Sequence, residues 1–179
     1  MGWKNVKEHY KVEHTVQVTE DGICIGSPYI HNIIVIGDDG KVKKRYENGR
    51  TNEDLRRIQD EIDADPAMLR KMVLTADTFD NSITVYTYDD GEIIECKCEE
   101  LGFPNVTHGG SIMYDNTFST NKVKVVKWAK ESAGICVKWA KESVDSAEKD
   151  LLEKQARLTE QEYNLARLEK KYPENTTAP

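Results

Sequence analysis

Apolar residues recur with two different periods along this chain, and each change of period marks an element. Val12, His14, Val16 and Val18 alternate with Glu13, Thr15, Gln17 and Thr19, the period of two that a half-buried strand requires. Residues 1–10 ahead of them read as a short helical or irregular lead-in. Glu20-Asp21-Gly22 turns the chain, and Ile23-Cys24-Ile25 returns as a partner strand. Beyond Gly26-Ser27-Pro28, the nearly continuous apolar run from Tyr29 to Ile36 predicts a central strand. Asp38-Asp39-Gly40 then leads into a strand over Lys41 to Tyr46, and Glu47-Asn48-Gly49-Arg50 ends the meander.

The period changes at Thr51. Thr51 or Asn52 can cap a helix whose first turn carries Glu53 and Asp54, the charge favoured at the positive end of the helix dipole. Leu55, Ile58 and Ile62 form its buried stripe. Pro66 opens a second helix at the position proline prefers, with Met68, Leu69, Met72 and Val73 on its apolar face. Alternation resumes over Ile83 to Tyr88 and Glu92 to Cys98, a hairpin around Asp89-Asp90-Gly91. Residues 99–119 read as a long polar loop.

The last third is one helix. Val126-Lys-Trp-Ala-Lys-Glu-Ser132 recurs as Val137-Lys-Trp-Ala-Lys-Glu-Ser143. A shift of eleven residues is close to three helical turns, so both copies share one face, Trp128 above Trp139. Those tryptophans read as packing residues rather than a ligand cage. Small or apolar positions at 126, 129, 133, 136 and 140 restart at 144, 147 and 151, and the stripe continues at Leu158, Leu165 and Tyr172. A helix with such a stripe needs a partner. Val126, Ala129, Ala133, Ala140, Val144, Leu151, Leu158 and Leu165 are therefore the expected oligomerisation residues of two to four associated chains, with packing back on the chain's own domain as the alternative. Lys154 and Gln161 fall at core positions and weaken the seam.

The fold class expected is α+β: an antiparallel, hairpin-built sheet with two short helices, followed by a long coiled-coil-like C-terminal helix. The expected division is 1–119 for the α+β domain, 120–172 for the oligomerisation helix and 173–179 for a disordered tail.

Composition narrows the class. The net charge of -7 over 179 residues argues against broad nucleic-acid binding. No apolar run is long enough for a membrane span, and no secretory signal opens the chain. Four cysteines without such a signal read as reduced thiols. Cys96 and Cys98 share a strand face and with Cys24 or His14 could approach a zinc set, but buried free thiols account for them better. No metal and no cofactor is expected. The histidines (His9, His14, His31, His108) are scattered, and no nucleophile elbow or phosphate loop is present. The expectation is a protein without catalysis; were it a nuclease or hydrolase, His108 would be the first residue to change.

Two clusters suit a ligand. Lys43, Arg45, Arg50 and Arg57, with Lys41, Lys44 and Arg56, could hold a phosphate or carboxylate, though a solvated strand edge defended by lysines accounts for them better. Asn105, Thr107 and His108 lie in the polar loop, where Phe103 or Tyr114 could stack on a base. A purely structural loop explains them equally well.

Four segments carry a resemblance. Val18-Thr-Glu-Asp-Gly-Ile-Cys-Ile-Gly-Ser-Pro-Tyr-Ile-His31, Tyr88-Asp-Asp-Gly-Glu-Ile-Ile-Glu-Cys96, Cys98-Glu-Glu-Leu-Gly-Phe-Pro-Asn-Val-Thr-His-Gly-Gly110 and Met113-Tyr-Asp-Asn-Thr-Phe-Ser-Thr120 resemble small uncharacterised accessory proteins of tailed bacteriophages. The resemblance implies a protein acting in the host bacterial cytoplasm, where host takeover and blocking of defence are common tasks. It carries over no catalytic residue. The resulting expectation is a homo-oligomeric inhibitor that sequesters a nucleotide-like signal or binds a host defence protein. A structural or assembly component of the virion is the alternative.

Overall fold

The computed structural model describes residues 1–47 and 52–173. It divides the chain into two compact units, Met1–Ala129 and Lys130–Pro179.

In the first unit, helix α1 (Trp3–His9) precedes a meander of β1 (Thr15–Thr19), β2 (Gly22–Gly26), β3 (Ile34–Ile36) and β4 (Val42–Lys44), antiparallel and in sequence order. Helices α2 (Glu53–Ala64) and α3 (Pro66–Leu74) follow. Both helices start as their residues require: the Asn52 side chain accepts from Leu55 N, and the Asp65 side chain from Met68 N ahead of Pro66. The main core joins Ile23, Ile25, Ile34 and Ile36 of the sheet to Leu55, Ile58 and Ile62 of α2 and to Leu69 and Val73 of α3. Trp3 and Val6 of α1 belong to the same cluster. Strands β2 and β3 are buried along their whole length, as the two central strands of the sheet should be.

A second, smaller cluster joins Val85, Cys98 and Met113 with Ile83, Cys96 and Phe118. It rests on the hairpin of β5 (Ile83–Asp89) and β6 (Glu92–Cys98) and on a miniature hairpin, β7 (Asn105–Val106) with β8 (Ile112–Met113). The fold is thus α+β on antiparallel pairs. Cys96 and Cys98 are free and packed in this second cluster.

Three local features depart from the sequence expectation. The predicted central strand begins only at Ile34; the chain from Ser27 to Ile30 instead forms a turn in which Ser27 Oγ accepts from Tyr29 N and Ile30 N, leaving Tyr29 94% exposed. The polar loop contains β7 and β8, whose two-residue strands are too short to show a period. In β4, Val42 faces Ile36 and Lys44 faces Val35, so Lys43 is an extra residue. That bulge breaks the alternation that would have put Lys41, Lys43 and Arg45 on one face.

Helix α4 (Lys122–Lys171) is continuous over 50 residues. Its first turns belong to the first unit: Val125 is 0% exposed, and Val126 and Ala129 are half-buried there. The compact unit thus takes in about the first two turns of α4. Within the second unit every large apolar side chain of the stripe is open: Leu151, Leu158 and Leu165 are 56%, 59% and 57% exposed. Trp139 is exposed as well, whereas Trp128, still in the first unit, is half-buried under Lys124 at 4.6 Å. No helix among the described residues is long and apolar enough to cross a membrane.

Candidate functional site

Helix α1 forms one wall of a cleft because both of its ends are tied down. Gly2 N donates to Val73 O at 2.8 Å, and the Asp77 carboxylate accepts from Lys4 N and Asn5 N, capping the positive end of the helix. A Cβ on Gly2 would lie 2.0 Å from Met72 O, so only glycine permits this approach. At the other end, Lys11 adopts a left-handed conformation (φ 48°) that lets Lys11 N reach Glu8 O and Val12 N reach Lys7 O. Glycine is the usual residue at such a helix end; here the position holds a lysine.

Spacing then decides what α1 presents. Trp3, Lys4, Lys7, Glu8 and Lys11 recur at three and four residues and line one side of a cavity of about 460 Å³. Phe79, Glu99, Glu100, Gly102, Pro104, Asn105 and Val106 line the other side, and Val12 and Glu13 complete it. The aromatic wall is braced from behind. Trp3 Nε1 donates to His108 O at 2.9 Å, and Phe79 stacks on the His108 ring at 3.8 Å and 5°.

The charges around the cavity sort into paired and open groups. Lys4 Nζ donates to Glu99 at 2.8 Å and to Thr78 O, with Glu8 at 3.7 Å. The hydrogen bond from Lys4, and then one from Asp80 N, hold the Glu99 carboxyl below its ordinary value; the same bond to Glu99 raises Lys4. Among the described residues, the side chains of Lys7, Lys11, Glu13 and Glu100 make no ion pair or hydrogen bond. Asn105 is 1% exposed, its Oδ1 accepts only a long bond from Gly102 N at 3.5 Å, and its Nδ2 has no partner.

The structure separates the residues that the loop brought together in sequence. Asn105 reaches the cavity. Thr107 Oγ1 accepts from Ser111 N at 3.0 Å and shapes the β7–β8 turn. His108 is a brace: its N donates to Lys97 O, its ring stacks on Phe79, and its Nε2 lies 3.1 Å from Asn81 O.

The basic residues likewise go to separate acceptors within the fold. Lys43 Nζ donates to Asp21 O, Lys44 Nζ to Asn32 Oδ1, and Arg45 Nη1 to the Asp63 carboxylate. Lys41 pairs with Asp39. Arg57 is the most committed, to Asp54 Oδ1 at 2.6 Å, Glu61 Oε1 at 3.0 Å and Tyr10 O at 3.1 Å. Arg50 lies outside the described residues. Lys41, Lys43, Lys44, Arg45 and Arg57 are thus each tied to acceptors of the fold, while Arg56 is exposed. Asp54 also bonds His14 Nδ1 at 2.9 Å, and Asn52 Nδ2 donates to His14 Nε2, which occupies both ring nitrogens.

Sequence reasoning found Asn105 but missed Lys7, Lys11, Trp3 and Phe79. Their signal was a helix periodicity over only about two turns, followed by partners far along the chain. Comparison of the chain with protein-family models, with characterised proteins and with solved structures gave no match.

Proposed function

We propose that this chain is a non-catalytic binding protein that works as a homo-oligomer, its first unit holding the target and α4 gathering the copies. The observation that carries the assembly is the open stripe on α4, with Leu151, Leu158 and Leu165 all more than half exposed in the single chain. The helix is roughly 75 Å long at about 1.5 Å per residue. An isolated amphipathic helix gains most of its stability from packing its apolar face. A second copy is the occupant that the pattern fits, because heptad spacing at 151, 158, 165 and 172 is self-complementary.

The binding role is supported by a cleft whose lining includes charged side chains, Lys7, Lys11, Glu13 and Glu100, without partners among the described residues. The phage-like segments supply the setting: a bacterial cytoplasm during infection, where such a protein sequesters a nucleotide-like signal or occupies a defence protein. Sedimentation of full-length protein tests the assembly. Leu158→Asp with Leu165→Asp should reduce the complex to single chains while the first unit stays folded. An unchanged subunit count would remove α4 as the interface.

A further inference from the structure

Followed back from Leu151 in alternating steps of four and three, the seam of α4 changes size halfway along. Ala147, Ala140 and Ala133 stand seven residues apart in its first half, and Leu151, Leu158 and Leu165 seven apart in its second. All of them are exposed in the single chain. Facing alanines draw two helix axes together and facing leucines hold them apart, so a parallel, in-register pair would be tight at one end and wide at the other. An antiparallel pair is even. Ala147 then meets Leu151 of the second copy, Ala140 meets Leu158 and Ala133 meets Leu165, because each of these pairs is centred on residue 149. Small against large is the arrangement that fills facing layers without voids. Helix α4 is unbroken between its two halves, so they cannot meet within one chain. A second copy brings them together.

Charge selects the same orientation. Lys130 and Lys154 also fall on the seam. In a parallel pair each would oppose its own counterpart, a like-charge contact inside a closing interface. In the antiparallel pair Lys154 lies against Val144, and Lys130 against Leu168 with Glu169 beside it. The Lys154 ammonium is drawn to the flank by Asp150 of its own chain at 2.6 Å, so its stem covers Val144 while its charge stays in water. Glu148 and Asp150 approach their counterparts at the centre, where Lys154 neutralises Asp150.

We infer that α4 pairs antiparallel with a second copy of this chain, centred near Lys149, the alanine half of each helix lying against the leucine half of the other. The inference rests on reading α4 as the assembling element.

Disulfide trapping on the full chain tests it, in a Cys136→Ser background that removes the exposed native thiol. Chains carrying Ala140→Cys and chains carrying Leu158→Cys, made separately and mixed, should form a covalent pair on addition of diamide. The two thiols give up two electrons and two protons to the diamide, which leaves as the hydrazine. Either variant alone should give no covalent pair, because like positions stand about 27 Å apart at about 1.5 Å per residue. Ala133→Cys mixed with Leu165→Cys is the second such pair. Ala140→Leu and Leu158→Ala should each weaken association about tenfold or more, and the two together in one chain should restore it, since each change then faces the other. Cross-links within a single-variant sample, or mixtures that stay uncross-linked while sedimentation counts more than one chain, would overturn the orientation and keep the assembly. A full-length protein that sediments as a single chain would overturn both, so the two failures separate.

Discussion

Tyr10 shows how a single polar atom can be left behind when a core closes. The ring is buried in the main cluster, yet its hydroxyl meets no partner among the described residues. Burial, and then the carboxylates of Asp65 and Glu61, push its ionisation up, so the group remains a neutral, unsatisfied hydroxyl. Removing an unsatisfied buried donor recovers desolvation free energy, and Tyr10→Phe should stabilise the protein by about 1 kcal/mol. Urea denaturation measures this directly, and a lower midpoint for the variant would show that the hydroxyl has a partner. Asp54 makes the opposite kind of contribution. The Arg57 guanidinium first, and His14 second, hold its carboxyl below the ordinary value of 3.8. A carboxyl lowered in the folded chain contributes stability that is complete above its unfolded value and is lost as pH falls through the folded one. Stability should therefore drop below about pH 4, and Asp54→Asn should flatten that acid limb. A variant with the same acid profile as the parent would place the sensitivity on other carboxylates such as Glu99.

At the scale of elements, the period of the apolar pattern carried most of the architecture. The meander, both mid-chain helices, the β5–β6 hairpin and α4 were legible because each repeats its period at least twice. The elements that escaped are short or interrupted. Strands β7 and β8 have two residues each, too few to repeat. Tyr29 looked like strand because it heads an apolar run, but the Ser27 hydroxyl bonds the following amides and diverts the backbone into a turn. The bulge at Lys43 was hidden for a related reason: one extra residue in a three-residue strand leaves no alternation to contradict. The candidate site suffered most. Asn105 was visible as a polar residue in a loop, while its role depends on α1, a helix of seven residues whose cavity face is legible only beside Phe79 and residues 99–106. The basic cluster shows acceptors that charge alone does not place, since Arg45 meets Asp63 on α2 and Arg57 meets Asp54 and Glu61 on its own helix.

For the whole molecule, the division falls at Ala129 and not where α4 begins. Val125 is fully buried in the first unit, so a truncation before residue 121 would remove a core side chain, whereas one after Ala129 would keep it. The two units then make separate contributions: a head with its own core and cleft, and a helical stretch whose apolar face is open in one chain. On the proposed reading, further copies of the same chain cover this face. Native mass spectrometry of the full-length protein tests it most directly, because chain number and bound small molecules are read in one spectrum. The expected mass is two to four times that of the 20.4 kDa chain, with residues 1–129 alone returning a single chain. A full-length protein that remains at 20.4 kDa across micromolar concentrations, or a 1–129 fragment that keeps the same subunit count, would contradict it.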